Sequence, residues 1–572
     1  MFGNQRSPLS RFTAALAERN PDPSGRRWLY VPYDQLSDRI GPLALEDPRR
    51  RGIIMIESPE MAARRPYHKL KLALVLANQR RFALEQAERG VAVRHVVARA
   101  GSGDALGSLA REVGLIRVMR PAERELREEL SPLVRAGIVE IVPHEGWLTT
   151  GELFARSAPK GPPWRMDAFY RLARRESGML MTREGKPIGG KFSFDVENRE
   201  RWKGSPPAPD PPRFEDDPVK TEVLELVETQ FACHPGRLDG TLLPTTAADA
   251  GILWSWALRE CLPRFGPFED AMSLRSRGLF HTRISPLLNL HRLLPREVVH
   301  DAARAQVPLP SQEGFIRQVL GWREFMHHVH EATDGFRTLP GGSRPAVSTT
   351  PGDGGWGRAF GGVWRNEDRG TAAPAADGGT SPSHLGACGP LPAAWWGRES
   401  GLRCLDEVIR SVWEEGYSHH ITRLMVLGNL ATLLDVSPRE LTDWFWSAYL
   451  DAYDWVVEPN VLGMATFALG DLFTTKPYVS GASYIDRMSD YCKGCAFDPR
   501  ASCPITSLYW AFLTRHADTL GDLPRMKLPL ASARKRPPVR RRRDAAVFEG
   551  VQRGLAEGRR LDPRDLPAAE SS

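Results

Sequence analysis

The chain of 572 residues lacks any apolar run of the roughly 18 to 20 residues a membrane span needs. No membrane partner is therefore expected. Its opening, MFGNQRSPLSRFTAALAERN, is polar and broken by charge, without the apolar core of a secretory signal. The expected location is cytoplasmic. Cysteine is scarce, seven residues in all. In a reducing cytosol structural disulfides are disfavoured, so clustered thiols point to metal or redox use. A strong imbalance of charge is also missing. The 77 basic and 70 acidic side chains leave a net +7, which permits a polyanionic partner without demanding one. Tryptophan, by contrast, is plentiful, with sixteen residues. Core packing is the default for most of them, with base stacking and electron hopping as further uses.

The first part alternates strand and helix signals. RRWLYVPYDQL, GIIMIES, VAVRHVVA, GLIRVMRP and GIVEIVPH read as strands, and HKLKLALVLANQRRFALEQAERG has helical spacing ending at a glycine. Strands separated by helices predict a parallel α/β sheet. Ligands in such sheets sit beyond the carboxyl ends of strands, where Asp34, Gln35 and Glu57 lie. The proline-rich, acidic KGSPPAPDPPRFEDDP (203–218) reads as a stiff linker, and beyond about 220 the signal is mostly helical. The expected division is a flexible leader over 1–25, an α/β domain over 26–180, an interdomain linker over 181–220, an all-helical domain over 221–530 and a basic tail over 531–572. A stretch rich in Gly, Pro, Ala, Ser and Thr at 339–390 is expected to be a mobile insertion within the helical domain. RKRPPVRRRR (534–543) reads as a solvated tail or as a phosphate-binding arm.

Three cysteines fall within SDYCKGCAFDPRASCPIT: Cys492 and Cys495 form a C-x-x-C pair, and Cys503 follows. Zinc and an iron–sulfur cluster both suit a four-thiolate site. Zinc ribbons usually show two C-x-x-C knuckles, and only one is here. The candidates for a fourth ligand are Cys233, Cys261, Cys388 and Cys404; Cys388 lies in the insertion, Cys261 on an apolar helix pattern, and Cys404 at the head of a strong helix pattern, CLDEVIRSVW. Spacing favours Cys404 as the fourth ligand and leaves the metal open.

WREFM (322–326), SPLLNL (285–290), YSHHITRLMVLGN (417–429), DAYDWVVEPNVLGMATFALGD (451–471) and TKPYVSGASYIDRMSDYC (475–492) together resemble the iron–sulfur bacterial cryptochromes and photolyases, the prokaryotic (6-4) photolyase group. The resemblance extends over about residues 26–515. It implies an α/β antenna domain followed by an all-helical FAD domain, the photolyase/cryptochrome fold. Matched residue by residue, it implies FAD contacts from Thr282, Ile284, Ser285, Asn289, Trp322, Arg323, His420, Arg423, Asp451, Asp454 and Asn460. It assigns Cys404, Cys492, Cys495 and Cys503 to a 4Fe-4S cluster. It places His420 and His419 at the catalytic acid, and Trp396, Trp444 and Tyr484 in a relay that re-reduces the flavin. It implies 6,7-dimethyl-8-ribityllumazine as the antenna, near Asp34, Gln35 and Glu57, and acids matching Asp195 and Asp270 that bind Mg2+ beside the lesion.

The function implied is light-driven electron transfer from reduced FAD to a (6-4) pyrimidine–pyrimidone photoproduct in UV-damaged DNA, by a monomer, with histidine as the proton donor. The alternative is a cryptochrome photoreceptor that holds FAD and the cluster, signals to a partner still to be identified, and does not repair. A zinc-stabilised nucleic-acid-binding protein is the third reading. Several departures from the family bear on the choice. Phe445 replaces a relay tyrosine, Val457 stands where a site carboxylate is usual with Glu458 one place on, His291 stands where glycine is usual, and Tyr33 replaces the glycine before Asp34.

Overall fold

The computed structural model of the protein describes residues 10–98, 101–348 and 378–567. The chain divides into two compact units, one formed by Met1–Trp147, Pro211–Ser255 and Ile284–Leu294, the other by Leu148–Asp210, Trp256–Arg283 and Pro295–Ser572.

The first unit is built on five strands: β1 (Arg27–Tyr30), β2 (Arg51–Glu57), β3 (Ala92–Val97), β4 (Ile116–Met119) and β5 (Val139–Val142). All pair in parallel, in the order β3-β2-β1-β4-β5. Every residue of β2 is buried, as a central parallel strand covered on both faces requires. Ile53 and Met55 join one apolar cluster, Ile54 and Ile56 the other. Strand order reverses between β1 and β4, so the crevice at their carboxyl ends is the sheet's natural binding point. Side chains of this unit cross it. Gln35 Nε2 donates to the Met119 carbonyl at 2.8 Å, Asp34 Oδ2 accepts from the Ala122 N–H at 3.2 Å, and Tyr33 donates to Glu123.

Glu57 lies at the end of β2 and is buried. It takes a two-pronged ion pair from Arg80 of the helix Lys69–Glu88, at 2.7 and 2.9 Å, and lies 3.0 Å from His95 of β3. Burial works to raise this carboxyl, but Arg80 and His95 outweigh it and hold it at about 2. A carboxylate held below its unfolded value stabilises the fold above that value and loses the contribution as pH falls. Stability from Glu57 is therefore complete above about pH 4.5 and lost towards pH 2. Glu57→Gln takes from the buried Arg80 one of its two carboxylate partners, leaving Glu222 at 2.7 Å, and is expected to cost about 1–3 kcal/mol, read as a fall in urea midpoint at neutral pH that narrows in acid.

Two expectations are corrected here. The leader carries the helix Arg11–Arg19, capped by Ser10 and buried through Phe12 and Leu16. The division of the chain is also not a simple series. Segments 211–255 and 284–294, expected in the helical domain, belong to the unit that holds the sheet, and 148–180, expected with the sheet, belongs to the other.

The second unit is helical. Four of its helical stretches widen to π geometry: Ala257–Cys261, Arg317–Arg323, Arg423–Gly428 and Pro459–Ala465. Such widenings gather at functional sites because they re-aim side chains. Two glycines allow the close packing. A Cβ on Gly428 would stand 2.9 Å from that of Ala465, and one on Gly463 would enter the Phe473 ring. The basic tail is corrected as well. RRRR lies within the helix Pro538–Ala556, which packs on the helix Pro504–Arg515 and buries Asp544, Val547, Val551 and Leu555. Residues 349–377 of the expected insertion lie outside the described residues. No helix among the described residues is long and apolar enough to cross a membrane.

Candidate active site and cysteine centre

His419 and His420 open a helical turn that runs directly into the π stretch Arg423–Gly428. Adjacent helical residues diverge by about 100°, so the two rings face differently. His419 is buried and stacks on His281, with ring centroids 4.4 Å apart and planes 8° apart. His420 is the more accessible and meets His281 edge-on at 5.3 Å. Desolvation and the nearby Arg423 hold the His420 imidazole down at about 4, and burial with neighbouring positive groups pushes His419 and His281 well below their ordinary range. All three are neutral at neutral pH. His281 is a residue that sequence reasoning missed.

Arg423 pairs with Asp451 through two bonds of 3.0 and 3.1 Å, donates to the Ser418 carbonyl at 2.8 Å, and lies 4.0 Å over the Tyr449 ring. The π stretch Pro459–Ala465 packs against Arg423–Gly428 and carries Asn460, whose Nδ2 donates to the Val456 carbonyl at 2.8 Å. The buried Asp454 Oδ1 accepts from the Trp455 N–H at 2.5 Å. Arg323, lowered to about 10 by burial, pairs with Glu324 and lies 5.2 Å over the Trp455 ring; its neighbour Trp322 meets Phe325 edge-on. Thr282 is buried in the same unit. Ile284, Ser285 and Asn289, at and within the short helix Ser285–Asn289, belong to the sheet-bearing unit.

Beside His420 stands a charged group. Arg317 pairs with Asp195 at 3.0 Å, Arg199 pairs with Asp195 at 2.5 Å and lies 3.8 Å from Asp270, and the Tyr484 hydroxyl donates to Asp270 at 3.3 Å. Burial raises Asp270 to about 6 and the adjacent Glu269 to about 7. Asp195 is held by both arginines, whereas Asp270 lies 3.8 Å from Arg199 alone and keeps a raised carboxyl. Tyr484, expected in the relay, is anchored here.

The displaced acid has a different use. Glu458 is buried, accepts from Arg439 at 2.8 Å and from His330 Nε2 at 2.9 Å, and is held at about 2 by those partners against burial. Arg439 also pairs with Asp443 at 2.6 Å. Glu458 is thus a core ion, and Val457 beside it brings no carboxylate.

An aromatic row connects two of the expected relay residues. Trp396 stacks on Trp413 at 5.5 Å, Trp413 meets Trp444 at 6.1 Å, and Trp444 meets Tyr449 at 5.9 Å. The Trp395 carbonyl accepts both the Trp413 and Trp444 indole N–H groups, at 3.0 and 2.9 Å, which fixes the two rings. Trp413 and Tyr449 were not expected from the sequence. Tyr449 stacks on Phe445 at 5.2 Å and stands beside it as an oxidisable ring.

The four expected cysteines gather. Burial raises the Cys404 thiol well above its ordinary range, and Cys503, Cys492 and Cys495 raise it further. The C-x-x-C turn closes through a 3.2 Å bond from the Cys495 N–H to the Cys492 carbonyl, with Gly494 left-handed at φ 73°. Arg403 donates to the Lys493 carbonyl and ties that turn to the helix Arg403–Glu415. Cys503 is the N-cap of Pro504–Arg515, with proline in the first turn. Burial, with Cys492 and Cys495 nearby, pushes its thiol up to about 12. Among the described residues, His281, His419 and His420 form a further set, with one ring nitrogen of each within 4.8 Å of the others.

The model of the deoxyribodipyrimidine photo-lyase-related protein family matches residues 29–242. The (6-4) photolyase of Agrobacterium fabrum (strain C58) is 32% identical over 538 residues, covering 90% of this chain and 97% of that one. An uncharacterized protein of Acanthamoeba polyphaga mimivirus is 34% identical over 94 residues, 16% of this chain and 73% of that one. Among solved structures, the bacterial class III photolyase from Agrobacterium tumefaciens aligns with a TM-score of 0.46 at 13% identity, over 92% of this chain and 98% of that one. The Synechocystis sp. PCC6803 cryptochrome aligns at 0.48 and 14% identity, over 77% of this chain and 82% of that one.

Proposed function

The chain belongs to the (6-4) photolyase family, and from that premise we propose that it is a DNA photolyase that uses light to repair (6-4) photoproducts. The observation that carries the reading is the placement of His420 and His419 beside the Arg423–Asp451 pair, on a π stretch packed against the one that bears Asn460. An arginine, a carboxylate and an amide on touching elements are the donor and acceptor kinds that a flavin's rings and phosphates engage. Reduced FAD, when bound, supplies the light-driven electron. Arg423 is kept rigid by three bonds and holds charge at the site. Asn460 and Asp454 orient the bound ring through polar contacts. His420 presents a neutral N–H to a flipped-out lesion and donates a proton as negative charge develops on it.

Cys404, Cys492, Cys495 and Cys503 would hold a 4Fe-4S cluster. The gathering of the four thiols supports this, as does the single C-x-x-C turn where zinc ribbons usually carry two. Asp34, Gln35 and Glu57 are engaged by the protein's own groups and fit a structural role, so no step is assigned to a lumazine antenna.

Electrons for re-reduction would pass along Trp396, Trp413, Trp444 and Tyr449. Tyr449→Phe leaves Trp413 as the oxidisable ring in contact with Trp444, with Phe445 and the new phenylalanine beside it, and is expected to slow photoreduction of the bound flavin many-fold without reducing flavin content. Bleaching kinetics of the oxidised flavin under blue light with a thiol donor measure this, and an unchanged rate excludes Tyr449 from the path.

One observation favours the photoreceptor reading: Val457 removes a carboxylate from the lesion side, and Glu458 is committed to Arg439. Offering the illuminated, reduced protein two oligonucleotides decides between them. The photolyase reading expects the (6-4) lesion to be reverted and a cyclobutane dimer to be left alone. Binding to lesion DNA with neither lesion reverted overturns it in favour of the photoreceptor.

A further inference from the structure

His281, His419 and His420 come from two separate segments, yet one ring nitrogen of each lies within 4.8 Å of the others. His281 and His419 are 8% and 4% exposed. Both carry a buried ring nitrogen with no hydrogen-bond partner, Nε2 of His281 and Nδ1 of His419. Leaving a buried polar atom unpaired costs roughly 1–3 kcal/mol unless something else satisfies it. The His281 ring donates to the backbone carbonyl of Glu269, and since its Nε2 is the unpartnered atom, Nδ1 makes that bond. The carbonyl therefore fixes the tautomer and turns the Nε2 lone pair inward. This is the outer arrangement that metal-binding histidines use. His420, the most accessible of the three, completes the set and gives it a side open to solvent.

We propose that His281, His419 and His420 form a binding site for a borderline divalent transition-metal ion, zinc above all, and that the bound ion silences repair by occupying the proton donor. Three neutral imidazoles with an open position are a zinc ligand set. Three nitrogens on one zinc at 2.0–2.1 Å stand about 3.3 Å apart, so binding turns the His281 and His419 rings out of their parallel stack to converge on the ion. Burial and the nearby arginines keep all three rings unprotonated at neutral pH, so no proton has to leave before the ion enters. The site differs in chemistry from both the thiolate centre and the carboxylate–arginine group beside His420. The loss of repair rests on the photolyase function proposed above, and the metal site does not.

The test uses the full chain with its flavin and cysteine centre intact, held in the dark, so that binding is read without light, lesion or turnover. Zinc ions are added, unbound metal is removed by gel filtration, and zinc per chain is counted by elemental analysis. The wild type should retain one zinc more than His281→Gln, and His281→Cys, whose thiolate is itself a zinc ligand, should regain it. Flavin content and melting temperature check that the variants fold. If His281→Gln does not fold, the wild type and His281→Cys alone decide, since both must hold the additional ion. Equal zinc in wild type and His281→Gln, or no zinc retained by wild type beyond the cysteine centre, overturns the site. Zinc retained with repair undiminished leaves the site standing and overturns its inhibitory role.

Discussion

His420→Ala is expected to lower light-driven repair of the (6-4) lesion by a hundred- to ten-thousand-fold, the usual worth of a positioned acid–base group, at unchanged flavin content. The loss is predicted because His420 is the accessible member of the pair, whereas His419 is buried against His281. Replacing His419 removes a packed ring and is expected to disturb flavin retention as well. Repair by His420→Ala within threefold of wild type removes the residue from the chemistry. The ionisation state sharpens the assignment. With its imidazole held at about 4, His420 is neutral in the free protein and acts as an N–H donor rather than as a preformed cation. An NMR titration of the DNA-free protein should show no protonation of His420 between pH 5.5 and 8. A midpoint near 6.5 would contradict the desolvated setting.

The second large effect is on folding. Cys404→Ser is expected to abolish the broad iron–sulfur absorption and to cost several kcal/mol of stability, because structural metal centres contribute folding energy outright. The four proposed ligands come from the start of the helix Arg403–Glu415, from the turn closed by Gly494 and from the N-cap of Pro504–Arg515. Without the centre, those segments are joined by the Arg403 bond to Lys493 and by ordinary packing. The variant should melt well below wild type and lose flavin with the cluster. Retention of one zinc per chain at the cysteines, in wild-type protein without iron, would contradict the iron–sulfur assignment.

Much of this was legible before the fold was seen. The five strands declared themselves because buried parallel strands are continuous β-branched runs, as GIIMIES is. The cysteine quartet was legible because a C-x-x-C turn and a Cys-Pro step are local chemistry. The leader helix was missed because its stability lies in two residues, Phe12 and Leu16, inserted into a distant core. The tail was misread because RRRR dominated its appearance, although Val547, Val551 and Leu555 recur at helical spacing just beyond. His281, Trp413 and Tyr449 had no local signal at all. Each acquires meaning from rings contributed by other segments. The division into units escaped for the same reason: the proline-rich 203–218 looks like a boundary, but the chain returns to the sheet-bearing unit at 211 and again at 284.

His291 shows how a departure from the family becomes intelligible in the fold. Its φ is +57°, the left-handed conformation glycine adopts freely, which explains why glycine is usual there. The histidine keeps that conformation, with its ring 4.6 Å from His144 and Nδ1 2.6 Å from the Asp34 carbonyl.

The most direct test is a single pair of samples: reduced wild-type protein with a stoichiometric oligonucleotide bearing one (6-4) lesion, one kept dark and one given blue light, with restored thymines counted by chromatography. Thymines should return in the illuminated sample and be absent from the dark one. An illuminated sample in which the lesion persists, although the DNA is bound and the flavin is reduced, would contradict the assignment of this protein as a photolyase.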